Sequence, residues 1–323
     1  MKKLLVTLLS VVMLLCSGVM LAACDSKPVI GVLQFGAHPS LNNCYDGFIQ
    51  GLEEGGIDLA AYNVKHEDSN FDSATGVAQA NGLVSRKAKL ILAIATPSAV
   101  AAYAAANGTL PVVFCAVSDP AAAGFVKGQT TNLTGSSDLY DFAAQLELIK
   151  AFLPQASKVG VLYTESESNS IAQLAALKAA AAGTGLTIID RGINNANEIP
   201  SVTDALINEG VDCLTNLTDN TVVGALQTIL AKTDLAGIPI FGSEIEQVKG
   251  GCLASVSIDY IDLGRLTGLM AAKILKGEKT ADQLDYLYIE DYFNCYSAQK
   301  LDELGLTLPD AYAADILDVD AQA

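Results

Sequence analysis

Leu90-Ile91-Leu92-Ala93-Ile94-Ala95-Thr96-Pro97-Ser98 is an apolar run of strand length that stops at a threonine and a proline. Pro97 suits the first turn of a helix, and Ser98-Ala99-Val100-Ala101-Ala102 continues as one. Thr96 stands where an N-cap belongs, its hydroxyl accepting from an amide of the first turn. The other free amides and the helix dipole make such a turn a seat for a carboxylate or phosphate. A second turn of this kind follows another apolar run, at Thr218-Asp219-Asn220.

Outward from these turns the chain alternates strand and helix. Val29–Gln34, Asn63–Glu67, Lys89–Ala95 and Pro111–Val117 read as strands. Leu41–Glu54, Ser73–Ser85 and Pro97–Ala106 read as the intervening helices. The pattern then restarts. Lys158–Tyr163 echoes Val29–Gln34, Thr218–Val222 echoes Thr96–Val100, and Ile238–Ile240 echoes Leu110–Val112. Asn169–Ala182 is the helix and Leu186–Asp190 the next strand of this second unit. Landmarks in one order at near-constant spacing predict two similar α/β lobes, each a parallel sheet covered on both faces. The tail adds a strand at Leu253–Ile258, a helix at Leu263–Leu275, a strand at Tyr286–Tyr292 and a helix at Ser297–Leu304. Such extra elements are needed if the chain passes between the lobes more than once. No Gly/Ser-rich linker separates the halves, so the crossings are expected to be short.

The 323 residues are 51% hydrophobic with only nine prolines, which allows two domains with sizeable cores. A formal charge of −17 with no basic run argues against nucleic-acid binding. The first 23 residues read as a leader: Lys2 and Lys3, an apolar segment, then Leu21-Ala22-Ala23-Cys24. That ending has the form of a bacterial lipobox, in which Cys24 takes the lipid and becomes the mature N-terminus. No later apolar span is long enough to cross a membrane. Loss of Lys2 and Lys3, with no acid among those residues, takes the charge from −17 to −19. Cys44, Cys115, Cys213, Cys252 and Cys295 remain, an odd set without metal spacing; Cys115, Cys213 and Cys252 lie in strand-like runs and read as small buried hydrophobes, with one disulfide left open.

Catalytic signatures are thin. His38 and His66 are the only histidines, and no HExxH, GxSxG, P-loop or GxGxxG is present. No cofactor, metal site or catalytic residue is assigned. Binding groups are better supplied, at the C-terminal ends of the strands, where open α/β sheets hold ligands. They are Phe35, His38, Thr96, Ser98, Ser118 and Asp119 from the first lobe, and Tyr163, Asn169, Ser170, Thr218, Asp219, Asn220 and Glu244 from the second, with Asp259 after a late strand.

Several stretches carry a family resemblance. They include IGVLQFGAHPSL (Ile30–Leu41), GFIQGL (Gly47–Leu52), AIATPSA (Ala93–Ala99), PVVFCAVSDP (Pro111–Pro120), LTGSSD (Leu133–Asp138) and QLELIK (Gln145–Lys150). Others are ESNS (Glu167–Ser170), TDNTVV (Thr218–Val223), FGSE (Phe241–Glu244), IDYIDLG (Ile258–Gly264) and LGLTLP (Leu304–Pro309). Through these the chain resembles the solute-binding lipoproteins of ABC transporters that include tryptophan- and tyrosine-binding members. The resemblance implies a periplasmic-binding-protein type I fold, two Rossmann-like lobes joined by three crossings. The expected division is 1–23 signal peptide, 24–28 tether, 29–138 plus about 258–283 lobe 1, and 139–257 plus about 284–323 lobe 2. It further implies a monomer, lipid-anchored at the outer face of the cytoplasmic membrane, that hands an amino acid, aromatic ones included, to a membrane permease.

In that reading Thr96 and Ser98 meet the ligand's carboxylate, and Asp219, or else Asp119, its ammonium. Asn42 departs from the family, which often carries an acid after the HPxL element. Three alternatives stay open. One is a sugar or nucleoside ligand, disfavoured by the absence of Trp. Another is a racemase with Cys115 and Cys213 as paired acid and base. The last is a role presenting ligand to a membrane sensor.

Overall fold

The computed structural model describes residues 27–289 and 291–322; the leader and Cys24 lie outside the described residues. The first lobe is built on strands β1 (Val29–Gln34), β2 (Asn63–Asp68), β3 (Leu90–Ile94), β4 (Val112–Cys115), β5 (Leu133–Ser137) and β11 (Leu287–Tyr288). They form one parallel sheet in the order β11-β5-β4-β3-β1-β2. The second lobe takes β6 (Lys158–Thr164), β7 (Thr187–Ile193), β8 (Cys213–Thr215), β9 (Ile240–Phe241), β10 (Ala254–Ser257), β12 (Phe293–Tyr296) and β13 (Leu317–Asp318). Its order is β13-β12-β10-β9-β8-β6-β7, with β12 antiparallel to β10 and the other pairs parallel.

The two sheets repeat one plan. β2-β1-β3-β4-β5 and β7-β6-β8-β9-β10 have the same order, so the spacing of Gly31 to Gly160 and of Thr96 to Thr218 reports equivalent positions. Each sheet is covered on both faces, which is why its central strands are apolar throughout rather than alternating. In the first lobe helices α1 (Pro39–Glu54) and α10 (Tyr260–Leu275) cover one face, through a core that includes Phe48, Leu52 and Leu263. On the other face lie α2 (Ser73–Ser85) and α3 (Thr96–Ala106), over Leu83, Ala102 and Phe114. The second lobe repeats this with α4 (Phe142–Phe152) and α5 (Ser168–Ala181) on one face. Helices α6 (Ile199–Asn208), α7 (Asn220–Gly224) and α8 (Leu226–Ala236) cover the other.

The pair α1 and α10 packs backbone to backbone. A Cβ added at Gly47 or Gly51 would lie 2.0 Å from the carbonyl oxygen of Ile261 or Arg265. Added at Gly264 or Gly268, it would lie 2.2 and 2.3 Å from those of Cys44 and Phe48. This contact fixes α10, which follows a crossing from the second sheet, firmly in the first lobe.

Between sheets the chain passes at 138–141, at 258–259 and again between β11 and β12. The last of these corrects the sequence reading. Tyr286–Tyr292 was expected as one strand and residues from about 284 in the second lobe. Instead Leu287–Tyr288 pairs with β5 in the first sheet, and the strand that joins the second begins at Phe293. An aromatic, β-prone run spans the crossing because each half completes a different sheet. All five described cysteines are buried and unbridged.

Candidate functional site

Between the lobes lies a narrow cavity walled by residues of both. The first lobe supplies His38, Ser40 and Leu41 at the start of α1, Thr96 at the start of α3, Ala116 and Ser118 beyond β4, Asp138 beyond β5, and Tyr260 at the start of α10. The second supplies Asn169 at the start of α5, Thr218, Asn220 and Val223 after β8, and Ser243, Glu244 and Gln247 around α9 (Ile245–Lys249). Nearly every one follows the C-terminal end of a parallel strand, where the sheet stops and helix starts converge.

Backbone strain gathers at the same place. Ala95, which ends the β3 run, has φ 77°, and Ala116, just past β4, has φ 56°. Non-glycine residues rarely take such values, and where they do they are held by surrounding structure at sites that need the geometry. The helix after β3 therefore begins one residue earlier than expected. Ala95 is its N-cap and Thr96 its first helical residue. The Thr96 hydroxyl caps nothing; it is buried in the cavity wall without a partner in the protein.

That isolation is shared. Buried polar side-chain atoms are normally hydrogen-bonded, and the exceptions call for an explanation. Among the described residues the exceptions are both ring nitrogens of His38, Ser40 Oγ, Thr96 Oγ1, Ser98 Oγ, Asp138 Oδ1 and Asn169 Oδ1. All but Ser98 line the one cavity.

Two carboxylates face this space and no lysine or arginine does. Asp138 Oδ2 accepts from the Tyr260 hydroxyl at 2.9 Å and Oδ1 is unpaired. Burial raises the Asp138 carboxyl above its usual range. Glu244 caps α9, accepting from the amides of Glu246 at 2.6 Å and Gln247 at 2.9 Å. Burial pushes its carboxyl up to about 7. The same desolvation lowers His38 to about 4, so its ring is neutral at physiological pH.

The lobe-2 wall is held from behind. Glu167 accepts from the amide and side chain of Asn220 at 3.1 and 2.6 Å, and from the amide and hydroxyl of Thr221 at 3.0 and 2.7 Å. Burial, with repulsion from nearby Asp219, raises Glu167 to about 7. Gln173 brackets Thr218, its amide nitrogen donating to the hydroxyl while its oxygen accepts from the Thr218 amide at 2.9 Å.

Seven of the expected site residues therefore line the cavity: His38, Thr96, Ser118, Asn169, Thr218, Asn220 and Glu244. The other seven do not. Asp219, the expected partner of an ammonium, turns into its own lobe. Its carboxylate accepts from Val222 N at 2.9 Å, Thr164 N at 2.5 Å and Thr164 Oγ1 at 2.8 Å. Asp119 likewise accepts from Ala122 N, and Asp259 from Ile261 N and Asp262 N. Ser170 is buried beside Asp219. Tyr163 packs at the edge of the second core, and Ser98 is buried one residue past Pro97, off the wall. Phe35 packs edge-on against Phe71, 6.0 Å between centroids, at a neighbouring interlobe groove. Asn42 is exposed and bonded to Gln34, so its departure from the family does not reach the cavity.

Among the polar lining residues, sequence reading missed Ser40, Asp138 and Gln247, whereas Ser243 and Tyr260 stand among the strand-end groups it offers. Asp138 had a signal: a carboxylate directly after the polar stretch Leu133–Ser137, at a crossing. Cys115 and Cys213 are fully buried inside strands, off the cavity wall, so the two-cysteine acid/base arrangement is not formed.

The lobes touch across the cleft. Ser118 Oγ and Thr218 Oγ1 share a 2.8 Å hydrogen bond, and Asn43 Nδ2 donates to Glu246 Oε1 at 3.3 Å. Phe71, from the first lobe, packs onto Gly224 of the second, where a Cβ would lie 2.8 Å from its ring.

Known proteins show the same build. Residues 29–315 match the model of a family described as ABC transporter substrate binding protein. A tyrosine-binding protein of Clostridioides difficile is 34% identical over 290 residues, spanning 86% of this chain and 84% of that one. An ABC domain from Streptococcus pneumonia, solved in complex with L-Trp, is 33% identical, covers 90% of this chain and 100% of its own, and superposes with a TM-score of 0.86. A ligand-free, open substrate-binding protein from Clostridium difficile, 34% identical and covering 90% and 99%, superposes at only 0.66. Of these two, at nearly equal identity, the ligand-bound form superposes better, in keeping with the contacts across the cleft. Twin parallel sheets, three crossings and an interlobe cavity walled by strand ends are the type I periplasmic-binding-protein fold. With a family match across both lobes, they make this chain a member of the ABC transporter substrate-binding protein family, which captures solutes rather than transforming them.

Proposed function

We propose that this chain is an extracytoplasmic lipoprotein of an ABC importer that captures an amino acid, aromatic ones foremost, and delivers it to a membrane permease. The observation that carries the reading is the convergence of partnerless buried polar atoms on one interlobe cavity. A zwitterion answers that set. Its ammonium suits Asp138 Oδ1, with Glu244 close by on the opposite lobe, in a wall that holds no competing cation. Its carboxylate suits the Thr96 hydroxyl and the orphan amides at the start of α3. Either charge buried alone would cost several kcal/mol, so the two must be met together.

Leu41, Ala116, Val223 and the Tyr260 ring supply apolar wall for a side chain. The aromatic preference is supported by the two relatives, one named for tyrosine and one solved with L-Trp. Because both lobes contribute to the wall, a ligand stabilises the closed form over the open one. The lipid anchor at Cys24, and with it a place at the outer face of the cytoplasmic membrane, rests on the leader and lipobox pattern. Among the described residues no helix is long and apolar enough to cross a membrane.

Thermal-shift screening of the purified chain against the common amino acids tests the reading. L-Trp or L-Tyr should give the largest rise in Tm. A panel without response, beside a clear shift with sugars or nucleosides, would overturn it.

A further inference from the structure

The chain carries 36 acids against 19 Lys and Arg, and among the described residues eight cations are held in ion pairs. Of the unpaired ones, four gather in one region. Lys27, Lys65, Arg86, Lys87 and Lys89 line a single surface groove that holds no carboxylate. Lys65 pairs with Glu67 at 3.2 Å. Among the described residues the other four have no ion-pair partner, and all four are exposed.

The fold puts them together. The amide of Lys89 donates to Val29 O at 2.8 Å and that of Asn63 to Pro28 O at 2.9 Å, so β1, β2 and β3 begin side by side. These are the N-terminal strand ends, the pole of the first lobe opposite the ligand cavity. Cys24 lies four residues before Pro28, a span of at most about 14 Å when fully extended. A lipid on Cys24 would therefore hold this pole within about one or two Debye lengths of the head groups.

We propose that this basic pole docks on an anionic phospholipid surface, so that the anchored protein rests on its first lobe between encounters with a permease. The docking rests on reading Cys24 as the lipid site. The rest of the molecule, acidic overall, is repelled by the same surface, and the two effects together favour one orientation. Four exposed, unpaired cations on one face attract such a surface with or without the tether, which only raises their effective concentration at it.

The test uses the chain from residue 24 with Cys24→Ser, which carries no lipid and retains every described strand and core residue. Its sedimentation with phosphatidylglycerol-rich vesicles is compared with that on pure phosphatidylcholine at low salt. Binding to the anionic vesicles alone, abolished by 0.5 M salt (about 3–5 Å of screening), is expected. The triple variant Arg86→Glu, Lys87→Glu and Lys89→Glu should lose on the order of a hundredfold in partitioning. Its Tm and its thermal shift with L-Trp or L-Tyr should stay unchanged. Reversing Lys178, Lys232 and Lys249 of the second lobe alters net charge equally and should leave partitioning intact. Equal loss in both variants, or no binding by the parent, overturns the proposal. Mass measurement of the full chain expressed in bacteria separately decides whether Cys24 is lipidated, so failure of the anchor and failure of the docking surface give different results.

Discussion

Asp138 and Asp219 show how one residue type takes two roles within one site. Both are buried acids beyond strand ends. Asp219 stands at an N-cap, where the first-turn amides claim its oxygens. Asp138 stands at a crossing, where the Tyr260 hydroxyl donates to one oxygen and the other faces the cavity. The turn at Thr218-Asp219-Asn220 was legible in the sequence; which way its carboxylate points was not, because that depends on Thr164 of a neighbouring strand. The two substitutions should therefore separate. Asp138→Asn should weaken amino-acid binding by about 3–5 kcal/mol, more than a hundredfold, with Tm nearly unchanged. Asp219→Ala should lower unfolding free energy by about 1–3 kcal/mol through the lost cap and stranded donors. Calorimetric titration and urea denaturation of each variant distinguish these outcomes.

Among the elements, the apolar strands β1, β3, β4 and β6 announce themselves, since a strand buried on both faces has no polar phase. β5 does not. Leu-Thr-Gly-Ser-Ser carries no strand pattern, yet every residue is buried. Its hydroxyls are satisfied by distant groups: Ser136 Oγ by Thr267 Oγ1 at 2.5 Å, and Ser137 Oγ by Ser118 O at 3.2 Å. Only the fold supplies those partners, so no local reading finds the strand. The α1–α10 contact is similar, being visible in sequence only as glycines on two remote helices. Its prediction is sharp. Gly268→Ala puts a methyl 2.3 Å from Phe48 O, and should cost about 1–3 kcal/mol of stability or more by forcing the helices apart. Gly82→Ala, on α2 with open space around it, should be neutral or stabilising by chemical denaturation.

For the molecule as a whole, buried charge is the main liability, and it gives stability a definite pH dependence. In the folded chain Glu167 and Glu244 titrate near 7 instead of 4.5. Groups raised in this way contribute stability that is fully present below the unfolded value and lost as pH rises through about 7. His38 opposes them: with its value lowered from 6.5 to about 4, its contribution is lost as pH falls through that window. Two carboxylates outweigh one imidazole, so the Tm of the protein without ligand should rise between pH 8 and pH 5. Differential scanning calorimetry across that range checks the sign, and a falling Tm would show these carboxylates to be relieved in some other way. Amino-acid binding should run opposite to this. An ammonium favours ionised Asp138 and Glu244, so affinity should weaken as pH drops below about 7.

The repeated sheet order shows that duplication of the βα units was correctly legible, since apolar runs and helix starts recur at matching spacing. Closure was not, because it depends on pairs such as Ser118 with Thr218 that meet only once the lobes are in place. Function rests on a cavity that grips both charges of one amino acid between those lobes. The decisive measurement is calorimetric titration with L-Tyr and L-Trp, set beside their deaminated counterparts. Binding of at least one amino acid is expected, with a loss of a hundredfold or so when its amino group is removed. Equal affinity for the deaminated molecules would contradict it.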